Sequence, residues 1–240
     1  MKKRICLLMV LALLLCGCGG ETEEPVSGQV APAQTQPYLP EETVPEETAA
    51  KEKPVSLGRM EGGVYTNEYV GYGCTLDSNW VFYSAEELQE LPENIAEMME
   101  GSELGDTMEQ YTQITDMAAE NVNDLITMNV QYTKMGMQER IAYAMLTEEQ
   151  ILQEVLGQKD LMIDAYAQAG IEVSDMQMVE VTFLGQTRHA IHTTAAIQGV
   201  AYYTLQVFDN HLGQYSVVTT FGSYVQDNTE SMLELFYPLN

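Results

Sequence analysis

Residues 178–221 read MVEVTFLGQTRHAIHTTAAIQGVAYYTLQVFDNHLGQYSVVTTF. Val, Ile, Thr, Tyr and Phe recur here in short runs, and these residues suit a pleated, half-buried surface. Residues 178–184, 189–197, 200–208 and 214–221 each have the length of a strand. Gln198-Gly199 and residues 210–213 separate the last three and carry hairpin-turn chemistry. Consecutive hairpins demand an antiparallel sheet.

The pattern continues upstream. In residues 125–133, Ile126, Met128, Val130 and Tyr132 point one way and Thr127, Asn129 and Gln131 the other, as in a half-buried strand. Thr147 with Gln150 forms a capping box that opens a helix over residues 148–169, ended by Gly170. Its apolar residues, from Ile151 and Leu152 to Tyr166, recur at helical spacing. Residues 93–120 read as helical pieces broken by Gly101 and Gly105. Residues 64–69 and 71–76 read as strands, followed by a turn at Asp77-Ser78-Asn79 and then Trp80. Trp80 is expected in the core, ending the strand that starts at Gly71. Ser84 with Glu87 caps a helix near residues 85–91. Asn228 or Thr229 caps a closing helix to about residue 236. Residues 58–240 are thus one α+β domain, an antiparallel β-sheet flanked by α-helices.

The segment ahead of that domain has a different composition. Residues 19–57 hold Gly, Glu, Thr, Pro, Gln and Ala with almost no large apolar side chain. Such a segment cannot offset its ordering entropy by burial, so residues 18–57 read as a disordered acidic tether. Fully stretched it reaches roughly 130 Å, and as a coil about 35 Å. Before it, Lys2, Lys3 and Arg4 precede an apolar run from residue 5 to residue 15, too short to span a bilayer. This is an export signal, residues 1–17. It ends in Leu15-Cys16-Gly17-Cys18, and lipoprotein signals resemble this arrangement. Gly17 is small and Leu15 bulky, which favours Cys18 over Cys16 as the lipidated residue and new N-terminus. A diacylglyceryl cysteine supplies two chains such as palmitate, enough for stable retention on the extracytoplasmic face of the cell membrane.

Removing residues 1–17 leaves seven basic against 36 acidic residues. Within residues 58–240 the basic side chains are Arg59, Lys134, Arg140, Lys159 and Arg188. This balance repels nucleic acid and anionic headgroups, so the lipid must supply the anchoring. With Cys18 acylated, Cys74 has no partner for an internal disulfide, and it reads as a small buried hydrophobe within a strand.

Candidate chemistry is sparse. His189 and His192 make an H-x-x-H, but an offset of three on a strand turns the rings to opposite faces. His211 falls in an expected turn. Glu90, Glu93, Glu97, Glu100, Glu103, Asp106 and Glu109 form an acidic run, read as a solvated face or a weak divalent-cation surface. No Walker loop, G-x-S-x-G or dinucleotide fingerprint is present. The sequence calls for no catalytic residue, metal or cofactor.

Tyr65-Thr66-Asn67-Glu68-Tyr69, Gly71-Tyr72-Gly73, Leu76-Asp77-Ser78-Asn79-Trp80 and Ala85-Glu86-Glu87-Leu88 resemble the start of a group of small Gram-positive lipoproteins. These are similar to the PsbP-like α/β/α sandwich, shared with a photosystem extrinsic protein and a Ran-binding import factor. The resemblance covers most of residues 62–237 and implies a fold, with Cys74 where an aromatic usually sits. Members act mainly as binding or assembly modules, so the resemblance implies a non-enzymatic module with a protein or envelope partner. The alternatives are an enzyme with a site around Asp77, Trp80 and the acidic helix, or a low-affinity cation-binding surface protein.

Replacing Cys18 by Ala is expected to release the protein from membranes or leave its signal uncleaved. Normal processing and retention in Cys18→Ala, with release in Cys16→Ala instead, would move the anchor to Cys16.

Overall fold

The computed structural model describes residues 56–89, 113–212 and 214–239. The signal, Cys18, the tether to residue 55, and the acidic run from Glu90 to Glu109 lie outside them.

In chain order the strands begin with β1 (Arg59–Glu61), β2 (Val64–Asn67), β3 (Tyr72–Thr75), β4 (Val81–Phe82), β5 (Gln113–Asn121) and β6 (Ile126–Lys134). Helices α1 (Met137–Met145), α2 (Glu148–Gly157) and α3 (Lys159–Gln168) follow. Then come β7 (Ile171–Phe183), β8 (Gln186–Ile197), β9 (Val200–Leu212) and β10 (Tyr215–Tyr224). A short helix α4 (Thr229–Met232), a 3-10 turn (Leu233–Leu235) and β11 (Phe236–Pro238) close the described chain. The fold is mixed α+β and mostly antiparallel sheet. A four-stranded sheet has the order β1-β2-β3-β11, and a seven-stranded sheet the order β4-β5-β6-β10-β9-β8-β7.

The small sheet covers one face of the large one. Tyr65, Tyr72 and Cys74 from the small sheet pack with Val130, Tyr132, Val207, Val217 and Phe221 from the large sheet. Tyr72, Phe183, Phe221 and Phe236 form one ring cluster with centroids 5.5 to 6.3 Å apart, edge-on except for the tilted Phe183–Phe236 pair. On the opposite face, Leu152, Val155, Met162, Ala165 and Tyr166 of α2 and α3 pack on Met176, Ile191, Ala195, Tyr202, Phe208 and Val218. Alternation along β8, β9 and β10 divides the two cores: Ala190, Leu205 and Val217 belong to one, Ile191, Phe208 and Val218 to the other.

The tight hairpins follow their turn residues. Leu184-Gly185 and Gln198-Gly199 both hold positive φ at two successive positions, as the twist of a two-residue hairpin requires. Both capping boxes form. Ser84 Oγ accepts from Glu87 N at 3.3 Å while Glu87 accepts from Ser84 N at 2.9 Å. Thr147 and Gln150 exchange the equivalent bonds. Glu148, the first residue of α2, ties that helix to the sheet. It accepts from Arg188 Nε at 2.6 Å and from His189 N at 3.1 Å, and Arg188 also reaches Asp209 at 2.9 Å.

Several local expectations change. Residues 113–120 are strand rather than helix, because pairing with β6 overrides the helix propensity of Met117, Ala118, Ala119 and Glu120. The expected long helix divides into α2 and α3 at Gln158. β9 runs to Leu212, so His211 lies in strand backbone. The closing helix gives way to strand at Phe236, and Asp227 rather than Asn228 accepts the bonds of its first turn, from Thr229 N at 3.1 Å and Oγ1 at 2.7 Å. Trp80 follows a turn and is half-buried against the core edge, while β3 ends at Thr75. Tyr65 and Tyr72, fully buried, fill the centre expected of Trp80.

A β-bulge between Thr115 and Met117 turns Asp116 into the space between the sheets. Its carboxylate, 4% exposed, accepts from Gly58 N (2.7 Å), Tyr65 OH (2.6 Å) and Asn67 Nδ2 (2.6 Å). Burial, with this carboxylate adjacent, holds the Tyr65 phenol well above its ordinary pKa, so it stays a donor. Asn67 also reaches Tyr132 OH at 2.7 Å, and its Oδ1 accepts from Tyr69 N at 2.8 Å, closing the turn after β2. A Cβ at position 58 would overlap the Tyr65 ring, so only glycine lets the chain pass here.

Tyr65→Phe is expected to cost about 1.5–3 kcal/mol, the worth of a bond to a charged acceptor, and Asp116→Ala more, since it orphans every donor. Denaturant unfolding measures both. An unchanged midpoint in Asp116→Ala would remove this cluster from the account of how the sheets are joined.

Candidate polar binding face

Among the described residues, those singled out by sequence do not converge. His189 and His192 occupy opposite faces of β8, as the strand offset requires. His189 lies 3.6 Å from Glu148, and His192 Nε2 lies 2.7 Å from Asp227. Burial opposes ionisation of Asp227, but bonds from Thr229 and then His192 outweigh it and hold its pKa below the usual value. Cys74 is buried in β3, and burial pushes its thiol up to about 12, which keeps it protonated. Asp77 is exposed and its carboxylate accepts from Asn79 N at 2.9 Å, so it serves a turn. Among the described residues, no three His, Cys, Asp or Glu side chains are grouped to hold a metal ion, and no helix is long and apolar enough to cross a membrane. A cleft of about 740 Å³ between the β7–β8 hairpin and the C-terminal segment is lined by Glu180, Glu230, Glu234, Val181, Leu233 and Tyr237, among others. These side chains do not form a metal cluster.

The unexpected feature lies on the helix side of the large sheet. Alternation along β6 places Thr127, Asn129, Gln131 and Thr133 opposite its apolar side, where a half-buried strand would give them to water. They are instead 3%, 3%, 1% and 4% exposed. Cross-strand partners share a face, so the register extends the patch. One row runs Asn129, Thr220, Gln206 across β6, β10 and β9. The next runs Thr127, Gly222, Thr204, Thr193 from β6 to β8. On the other side, Gln131 faces Thr115 and Thr133 faces Gln113 of β5. The bulge makes this possible: by sending Asp116 to the inter-sheet side, it keeps Thr115 in phase with Ala118 on the polar side.

Hydrogen bonding here is incomplete. Gln131 Nε2 donates to Gln113 Oε1 at 2.9 Å, and Gln206 Nε2 reaches Thr220 Oγ1 only at 3.5 Å. The buried carbonyl oxygens of Gln131, Gln206 and Asn129 have no partner, nor do the hydroxyls of Thr115, Thr127, Thr133, Thr193 and Thr204. At Gly222 a Cβ would come within 2.6 Å of Thr127 Oγ1 and 3.1 Å of the Tyr202 hydroxyl, so glycine lets both approach. Buried polar groups are ordinarily paired, and each unmet one costs about 1–3 kcal/mol. Here they cluster on one face of the large sheet, enclosed rather than exposed.

One signal for this face is in the sequence. The polar sides of residues 127–133, 204–206 and 220 hold only Thr, Asn and Gln, whereas a solvated sheet face ordinarily mixes in Lys and Glu. The chain matches no protein-family model, and no curated protein matches it.

Proposed function

We propose that this chain is an extracytoplasmic lipoprotein, held to the membrane through Cys18, whose domain binds a ligand or envelope partner without chemistry of its own. The unpartnered Thr, Asn and Gln groups on the buried polar face of the large sheet carry this reading. They are uncharged, and no general base stands among them to activate a threonine hydroxyl, so the face suits recognition rather than turnover. The domain is read as PsbP-like. In support are the β2–β3 pair carrying Tyr65 and Gly73, the turn at Asp77, the capped helix at Ser84 and the three closing strands of the large sheet. The tether fits a module that works at some distance from its anchor.

A binding face kept at the expense of stability has a thermodynamic signature. Thr127→Val, Thr133→Val and Thr204→Val keep side-chain shape and remove a hydroxyl that bonds to nothing in the protein. Each is expected to leave the melting temperature of the ligand-free chain unchanged or raise it. A loss of about 1 kcal/mol at every position would mean that the hydroxyls bond within the fold, and the ground for a binding face would be gone.

A further inference from the structure

The two sheets leave an open seam on the side of β7 and β11. The cleft of about 740 Å³ touches Glu180, Val181 and Thr182, successive residues of β7, and Phe236, Tyr237 and Pro238, successive residues of β11. Successive strand residues point to opposite faces, so a cleft that touches all three lies along the edge of the strand. β8 takes one edge of β7 and β3 takes one edge of β11, and among the described residues no strand pairs with the other edge of either. The cleft therefore lies between two unpaired strand edges.

Register fixes which backbone groups face it. Phe183 and Gln186 flank a two-residue turn and bond to each other, so alternation aims Val181 at β8 and the N–H and C=O of Glu180 and Thr182 outward. On β11, Leu239 N donates to Gly71 O at 2.8 Å, so Tyr237 faces β3 while the carbonyls of Phe236 and Pro238 face away. The Phe236 N–H donates to Leu233 O, and a proline has no N–H. One wall thus offers donors and acceptors at strand spacing, and the other offers acceptors alone. The side chains add three carboxylates: Glu180 from β7, and Glu230 and Glu234 from the facing segment. Among the described residues, no Lys or Arg lines the cleft.

We propose that this cleft takes an extended segment of another protein, bearing Lys or Arg side chains, which adds as a strand to the outer edge of β7. An extended backbone supplies the alternating donors and acceptors that Glu180 and Thr182 match. Basic side chains are donors only, which suits the carbonyls of β11 and the three glutamates. A second copy of this chain would approach with the same sign of charge, at a formal net charge of −26, so the partner is a different and basic chain. The cleft lies on the side of the small sheet, away from the polar face, and its occupant does not depend on what that face binds.

Calorimetric titration of the full mature chain with the peptide Ac-Thr-Lys-Val-Lys-Thr-NH2 tests this. Its comparisons are Ac-Thr-Glu-Val-Glu-Thr-NH2 and two forms of the lysine peptide, each N-methylated at one alternate set of amides. Saturable binding of the lysine peptide is expected, and none of the glutamate peptide. One N-methylated form should bind and the other should not, because an added strand turns only alternate N–H groups toward β7. Glu230→Gln/Glu234→Gln should weaken binding about tenfold. Glu180→Gln, at an exposed position across the cleft, should weaken it about threefold, which keeps the test open if the double variant folds poorly. No saturation up to roughly 5 mM, equal binding of the glutamate peptide, or binding that both variants leave intact would overturn the proposal. Identical behaviour of the two N-methylated forms would overturn it as well, since no strand would then be added.

Discussion

The fold turns on one buried carboxylate. Asp116 sits on an edge-side strand of the large sheet, yet its three hydrogen-bond donors all come from the segment that forms the small sheet and its approach. A charge removed from water is tolerable only when its lone pairs are filled, and Gly58, Tyr65 and Asn67 fill them. The bulge that delivers Asp116 also resets the phase of β5. Continued from Ala118 without it, strict alternation would put Asp116 and Ile114 on the helix side and take Thr115 and Gln113 away from Gln131 and Thr133. One inserted residue therefore joins the two sheets and completes the polar face behind them.

The two faces of the large sheet are consequently unlike. Toward the small sheet, Tyr72, Phe183, Phe221 and Phe236 make a dense aromatic core, and Tyr72 OH finds Thr219 Oγ1 at 2.7 Å. Toward α2 and α3, half of the face is packed apolar surface, and the half centred on β6, β10 and β9 is enclosed, uncharged and polar, with amide oxygens and hydroxyls that lack protein partners. The first core is closed by ring-on-ring packing, and the second half-face carries the polar groups without partners. Arg188 bridges Glu148 of α2 and Asp209 of β9, fixing the helix layer at the border of the polar region.

The hairpins of residues 171–224 were legible because their turns announce themselves: Gly185 and Gly199 supply positive φ, and the flanking runs are β-branched and aromatic. The capping boxes at Ser84 and Thr147 were legible because side-chain chemistry three residues apart forms them. β5 was not, since QITDMAAEN carries helix formers and its strand state comes from pairing with β6 far from local preference. Trp80 was misplaced because adjacency to apolar residues does not distinguish the edge of a core from its centre. The polar face was half visible: alternation in β6 gave the side, but a polar side looks alike whether it meets water or is enclosed. Its burial depends on tertiary register and helix placement, which no single strand encodes.

The amide oxygens and hydroxyls of this face have no bonding partner within the protein. A crystal structure of the ligand-free chain, at a resolution that shows ordered water, tests it most directly. Water or a bound small molecule is expected within about 3 Å of Gln131 Oε1, Gln206 Oε1 and Asn129 Oδ1. Protein N–H or O–H groups seated on all three oxygens would contradict it and return the face to the fold.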